Sequence, residues 1–141
     1  MDALDLTRRP PRAPRALLPG LDLLMIARTV DKLRATLPGG KLGEYKIQGF
    51  SSRLLDALGI EEAALRDEVA RAGDDAAVAR WICAHADAAR FAAINAEFEA
   101  ATIADRLGDP EFLERYPFVK TLPPQTPRID MLALDDEAAF R

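Results

Sequence analysis

Apolar residues recur at three- and four-residue intervals through most of the chain, which predicts helices rather than strands. The first stripe, Leu23, Ile26, Ala27, Val30, Leu33 and Leu37, predicts a helix over 21–37. Pro38, Gly39 and Gly40 end it, because proline cannot extend a helix and glycine suits the left-handed position behind one. Residues 41–50 have no such period and read as a loop with one short extended piece. Ser51 or Ser52 is placed to cap a short helix carrying Leu54, Leu55 and Leu58, closed by Gly59. A helix over 61–72 puts Leu65, Val69 and Ala72 on one face, with Gly73 as its stop. Asp74 and Asp75 cap the next, in which Val78, Trp81 and Ile82 face inward.

The pattern then predicts one long helix over 87–107, apolar on two sides. Phe91, Ile94 and Phe98 line one side, and Ala92, Ala96, Ile103 and Leu107 the other, with Asn95 between them as a buried polar anchor. A helix apolar on two sides sits centrally or partly against a second chain, so a homodimer is permitted. Asp109 and Pro110 open one more short helix. The tail from Leu122 is proline-rich, then carries Ile129, Met131, Leu132 and Leu134 before a short acidic end. Residues 1–20 hold four prolines and four arginines and should be extended, either free or laid along the body. The expected fold is therefore all-α, a compact orthogonal bundle of about five to seven helices over 21–141 with an N-terminal arm over 1–20.

With 141 residues, 49% hydrophobic and 30% charged, the chain has room for one ordinary core. Asp2 and Asp5 precede the basic run and no apolar h-region follows it, so the start does not read as a signal peptide. Arg8-Arg9 is followed by Pro10 and Pro11, which weighs against a twin-arginine reading. The longest apolar run, Leu23 to Ala27, is too short to span a bilayer. A single cysteine, Cys83, rules out an internal disulfide and suits a reducing compartment, so a cytoplasmic location is expected. The net charge of -4 is uneven: residues 1–53 carry about +5 and residues 54–141 about -9. That asymmetry suits a basic arm packed on its own acidic body, and the acidic total argues against a nucleic-acid binder.

Little in the chain resembles a catalytic motif. Cys83 and His85, two apart on a helix, point about 200° away from each other and cannot act as nucleophile and base. One His and one Cys do not make a metal site. Gly39, Gly40, Lys41 and Gly43 follow a helix and lack the Ser or Thr of a phosphate loop. Glu97 and Glu99 lie on different helix faces. No cofactor motif is present. The informative cluster is Arg28, Asp31 and Lys32, neighbours on one helix face, with Arg34 close to the apolar stripe and in need of a partner. Together with Glu44 and Tyr45 they form a candidate polar centre. It reads either as an ion network holding the 41–50 loop on the first helix, or as an anion site fed also by the N-terminal arginines.

The ordered string Asp5-Leu6-Thr7-Arg8-Arg9-Pro10-Pro11-Arg12-Ala13-Pro14-Arg15, then Ala27-Arg28, Asp31-Lys32-Leu33-Arg34-Ala35 and Gly43-Glu44-Tyr45, resembles the DUF5069 family. The ending Leu132-Ala133-Leu134-Asp135-Asp136-Glu137-Ala138-Ala139-Phe140 is similar to that family's close. The resemblance implies a compact bacterial domain and carries no activity with it. The family often has serine where Ala13 stands, and a Cys-Pro pair where this chain reads Gln48-Gly49-Phe50-Ser51. Chemistry resting on that serine or cysteine would be absent here. The expectation is a non-catalytic binding or interaction domain whose arm and first helix recognise an anionic ligand or a protein partner. The rival is a small enzyme acting on an anionic metabolite, held by Arg28, Lys32 and Arg34, with Tyr45 or Glu44 moving a proton.

Overall fold

A computed structural model describes residues 1–141. It is all-helical: α1 (Ile26–Ala35), α2 (Phe50–Leu58), α3 (Glu62–Arg71), α4 (Asp75–His85), α5 (Phe91–Ala100), α6 (Pro110–Arg115) and α7 (Arg128–Ala139), joined by loops and three short 3-10 turns. No strand forms, and three isolated bridges are the only β-type pairings. No helix is long and apolar enough to cross a membrane.

α1 is the central element, with Ile26, Ala27, Val30 and Leu33 fully buried. It starts five residues later than the periodicity predicts, because 21–25 is turn structure whose polar backbone is satisfied by a side chain. Asn95 Oδ1 accepts from the Leu24 amide at 2.8 Å and its Nδ2 donates to the Asp22 carbonyl at 3.0 Å. Met25 then takes φ 71°, the only non-glycine residue with positive φ. The helix ends two residues early, and the chain turns so tightly that a Cβ on Gly40 would lie 2.5 Å from the Ala35 carbonyl oxygen. α2 packs on α1 through Leu54, Leu55 and Leu58 and closes at Gly59, φ 69°. Its first residue is Phe50, and Ser51, rather than capping the helix, is buried and hydrogen-bonded to the Thr29 hydroxyl at 3.0 Å. Asp74 caps α4 through the Ala77 amide, and Asp109 caps α6 ahead of Pro110.

The long helix expected over 87–107 is broken. A 3-10 turn at Ala88–Arg90 leads into α5, and the chain then extends at Ala101 and Thr102. Thr102 and Asp105 form a capping box that starts a new 3-10 turn, which outcompetes helix continuation. The two apolar sides consequently serve two cores. Phe91, Ile94 and Phe98 join the main cluster around α1, while Ile103 joins Phe112, Val119 and Met131 in a second; Ala92 and Ala96 are exposed. The apolar part of the tail after the proline-rich stretch forms α7, which buries Ile129 in the first cluster and Met131 in the second.

The N-terminal arm is docked. Leu18 enters the main core, and Leu4 and Leu6 pack with Ala35 in a third small cluster. Backbone bonds between Leu4, Leu6 and Lys41 hold the arm beside the loop after α1. Arg12 spans Asp31 and Asp75, and Arg15 spans Glu99 and Asp130, so basic arm meets acidic body as the charge split predicts. The Arg15 pairs are about half exposed and should matter little: Arg15→Ala is expected to cost under about 1 kcal/mol and to lose that effect in high salt. Asn95→Ala strands two backbone groups and should cost about 1–2 kcal/mol regardless of salt. Urea unfolding at two ionic strengths separates the two cases.

Candidate functional site

A cleft of about 950 Å³ opens where the three apolar clusters meet. Met25 and Phe50 form the side belonging to the main core, and Phe112, Tyr116, Met131 and Leu132 the side belonging to the second; Leu6, Thr7 and the 43–49 loop close one edge. Cleft-lining residues of α7 are Arg128, Met131, Leu132, Asp135 and Ala139, spaced i, i+3, i+4, i+7 and i+11, which is one continuous helix face. Seven lysines and arginines line the cleft against three carboxylates, in a protein whose net charge is -4.

One end is organised by Asp136 on α7. Its Oδ2 accepts from Arg28 Nη1 at 2.6 Å, and its Oδ1 accepts from Arg28 Nη2 at 3.3 Å and from the Tyr45 hydroxyl at 2.7 Å. Arg28 is 3% exposed, sits 5.6 Å from the Tyr45 ring centroid, and has a buried Nε without a hydrogen-bond partner. Burial, and then the bond to Asp136, push the Tyr45 phenol up, so at neutral pH it is a hydrogen-bond donor. Lys32, one turn beyond Arg28 on α1, is 7% exposed and donates to the Lys46 carbonyl at 3.0 Å, with no carboxylate in salt-bridge range. Burial and the charge of Arg28 push its ammonium down to about 8; Arg115 adds to this and Asp136 opposes it. Asp135 is raised by burial and by the neighbouring Asp136.

The other end is built on Phe50. Two guanidinium groups lie over this ring, Arg128 at 4.9 Å and Arg53 at 5.6 Å from its centroid, and the ring meets Phe98 in a T-shaped contact. Stacking holds a guanidinium by its face and leaves its N–H edge free for an oxyanion. Neither arginine has a salt bridge, and Arg128 Nε is buried without a partner. Burial, then the charges of Arg106 and Arg53, lower the Arg128 value. Arg106 stacks on Phe112 at 5.2 Å and pairs with Asp109.

Of the candidate residues read from the sequence, Arg28, Lys32, Glu44 and Tyr45 line this cleft. Asp31 and Arg34 do not. Asp31 is held by the Arg12 amide at 2.8 Å and by the Arg12 guanidinium, while Arg34 donates to the Asp2 carbonyl at 2.7 Å and lies 4.0 Å from Asp31. Helix geometry accounts for this, because Arg28 and Lys32 project toward α7 and the 41–50 loop while Asp31 and Arg34 face the arm. The N-terminal arginines Arg12 and Arg15 are likewise occupied by carboxylates outside the cleft. Arg53, Arg106, Arg115, Arg128 and Asp136 were not singled out by sequence reasoning. The i, i+4, i+7 spacing of Arg128, Leu132 and Asp135 is a signal that a search for purely apolar stripes passes over. No three His, Cys, Asp or Glu side chains gather as metal ligands.

The fold and cleft define a small helical protein with a basic, aromatic-lined recess. The chain belongs to the family described as Domain of unknown function (DUF5069), whose model matches residues 8–133. Among curated proteins none matches the chain. The stretch Gln48 to Ser51 lies in the cleft wall and supplies Phe50.

Proposed function

We propose that this protein is a non-catalytic binding domain that takes an anionic small molecule into the basic cleft, in the cytoplasm, with the arm and body acting as one folded unit. The observation that carries the reading is a group of four cations, Lys32, Arg53, Arg115 and Arg128, that share one concave site with no carboxylate in salt-bridge range. Surface cations scattered for solubility are solvated. Here one ammonium is buried at the cost of its own proton affinity, which an anion would restore. Concave sites with an apolar floor and a few convergent polar groups are the usual form of small-molecule pockets.

Titration calorimetry with citrate and with inorganic pyrophosphate tests it. Saturable binding that weakens with salt is expected, and Arg53→Met with Arg128→Met should weaken it at least about tenfold while leaving thermal stability nearly intact. Absence of saturable binding, or equal binding by the double variant, would refute the proposal. The rival, a small enzyme acting on an anionic metabolite, draws on the Lys32 amine, whose value near 8 suits proton transfer. It expects a bound compound to be recovered altered, whereas the binding reading expects it back unchanged. Tyr45, held protonated, and Glu44, exposed, support the binding reading better.

A further inference from the structure

We infer that the cleft recognises a molecule with two anionic groups, one at each end, joined by an apolar segment; the inference rests on the binding reading above and deepens it. The ruler is α7. Arg128 begins this helix and Asp135 and Asp136 lie near its end, so the two ends of the cleft are roughly 10–12 Å apart along its axis at 1.5 Å per residue. At the first end, Arg53 and Arg128 both lie over the Phe50 ring and have no salt bridge, which leaves donors for a carboxylate or phosphate. At the second, Lys32 and Arg115 stand beside the Arg28–Asp136–Tyr45 set; neither is salt-bridged, although carboxylates line the same end.

Between the ends apolar side chains contribute to the lining, with Arg106 and Glu111 at their margin. Met131 and Leu132 fall on α7 between the two charged turns, and Met25 and Phe112 face the same recess. A ligand with one charge would satisfy one cationic end and leave the other to water. A compact polyanion would reach one end and bury its charge poorly over the methionines. An elongated molecule with an anion at both ends reaches the unpaired cations of both ends. Asp135 and Glu44 also line the second end, so a ligand with a cation there is the direct competitor, and the test separates them.

The probes are the linear dicarboxylates butanedioate, octanedioate and decanedioate, the monocarboxylate octanoate, and 8-aminooctanoate, titrated calorimetrically into the full chain. Octanedioate or decanedioate is expected to bind at least about tenfold more tightly than butanedioate and octanoate, because the second anchor is engaged without further loss of translational freedom. Arg53→Met with Arg128→Met, and separately Lys32→Met with Arg115→Met, should each reduce the long dicarboxylate to the affinity of octanoate. If all the carboxylates bind alike, or if 8-aminooctanoate binds best, the two-anion inference is overturned while the basic-cleft reading stands. If no carboxylate binds and neither citrate nor pyrophosphate does, both fall together.

Discussion

Asp136→Ala is expected to lower stability by about 3–5 kcal/mol, because it leaves a buried guanidinium with no counter-charge, only a long bond to the Arg12 carbonyl, and a phenol with no acceptor. Arg28 is 3% exposed and Asp136 is 6% exposed, so water cannot replace the carboxylate without opening the contact between α1 and α7. The Tyr45 hydroxyl loses its acceptor in the same step, and with it the tie between the 41–50 loop and α7. For a chain of this length the change corresponds to a fall in Tm of about 10 °C or more. Much of the loss belongs to the uncompensated charge rather than to the pair itself, so Arg28→Met in the Asp136→Ala background should recover a large part of it. Tyr45→Phe alone removes one hydrogen bond and should cost about 1 kcal/mol. Urea denaturation of the wild type, Asp136→Ala, Arg28→Met and the double variant gives the cycle. A loss below about 1 kcal/mol for Asp136→Ala would mean that the pair is solvated and that the cleft floor is not a fixed structure.

The same three residues show how far the sequence carries. Arg28 and Tyr45 are legible, the first from its place beside Lys32 on a helix face and the second from its place after the Gly-Glu turn. Asp136 is not, because its helix hides. In α7 the apolar residues Ile129, Met131, Leu132 and Leu134 do not follow one stripe: Ile129 faces the main core, Met131 the second cluster, and Leu134 is exposed. A helix shared between two cores and a polar cleft has no single apolar face for periodicity to find. The expected helix over 87–107 fails for the converse reason. Two apolar sides suggest a single element in the centre, whereas the chain breaks at Thr102. Phe91, Ile94 and Phe98 serve the main cluster, Ile103 and Leu107 the second, and Ala92 and Ala96 stay exposed. Here the capping pair Thr102 and Asp105 was local evidence against a period that spans them. Arg34 shows a third limit. Its closeness to the apolar stripe correctly demands a partner, but the partners, the Asp2 carbonyl and Asp31, lie on the arm side of α1 and so draw it away from Tyr45.

Lys32→Met is expected to make the unliganded protein more stable and the binding of anions weaker, two changes that a purely structural lysine would not produce together. Folding takes this ammonium from an ordinary value of 10.5 down to about 8, chiefly by burial. The unfolded chain therefore binds the proton more tightly than the folded one. Below pH 8 both forms are protonated and the folded state carries the full penalty, of the order of about 1–3 kcal/mol after the lost bond to the Lys46 carbonyl is set against it. Between pH 8 and 10.5 the folded protein releases the proton while the unfolded chain keeps it, so this contribution makes stability rise with pH and the penalty fade. Methionine fills a similar volume with no charge, so the variant should start higher and lack this rise; the stability gap between variant and wild type should narrow from pH 7 to pH 9.5. An anion in the cleft reverses the balance, since it favours the charged amine, raises its proton affinity and draws in a proton as it binds. Wild-type affinity should accordingly decline above pH 8, and the variant should bind about tenfold more weakly at pH 7 with no such decline. A destabilised Lys32→Met protein, or one whose anion affinity matches the wild type, would place the lysine in the scaffold and remove the strongest reason to regard the cleft as a site. The opposed signs are what a binding site held at the expense of its own stability would show.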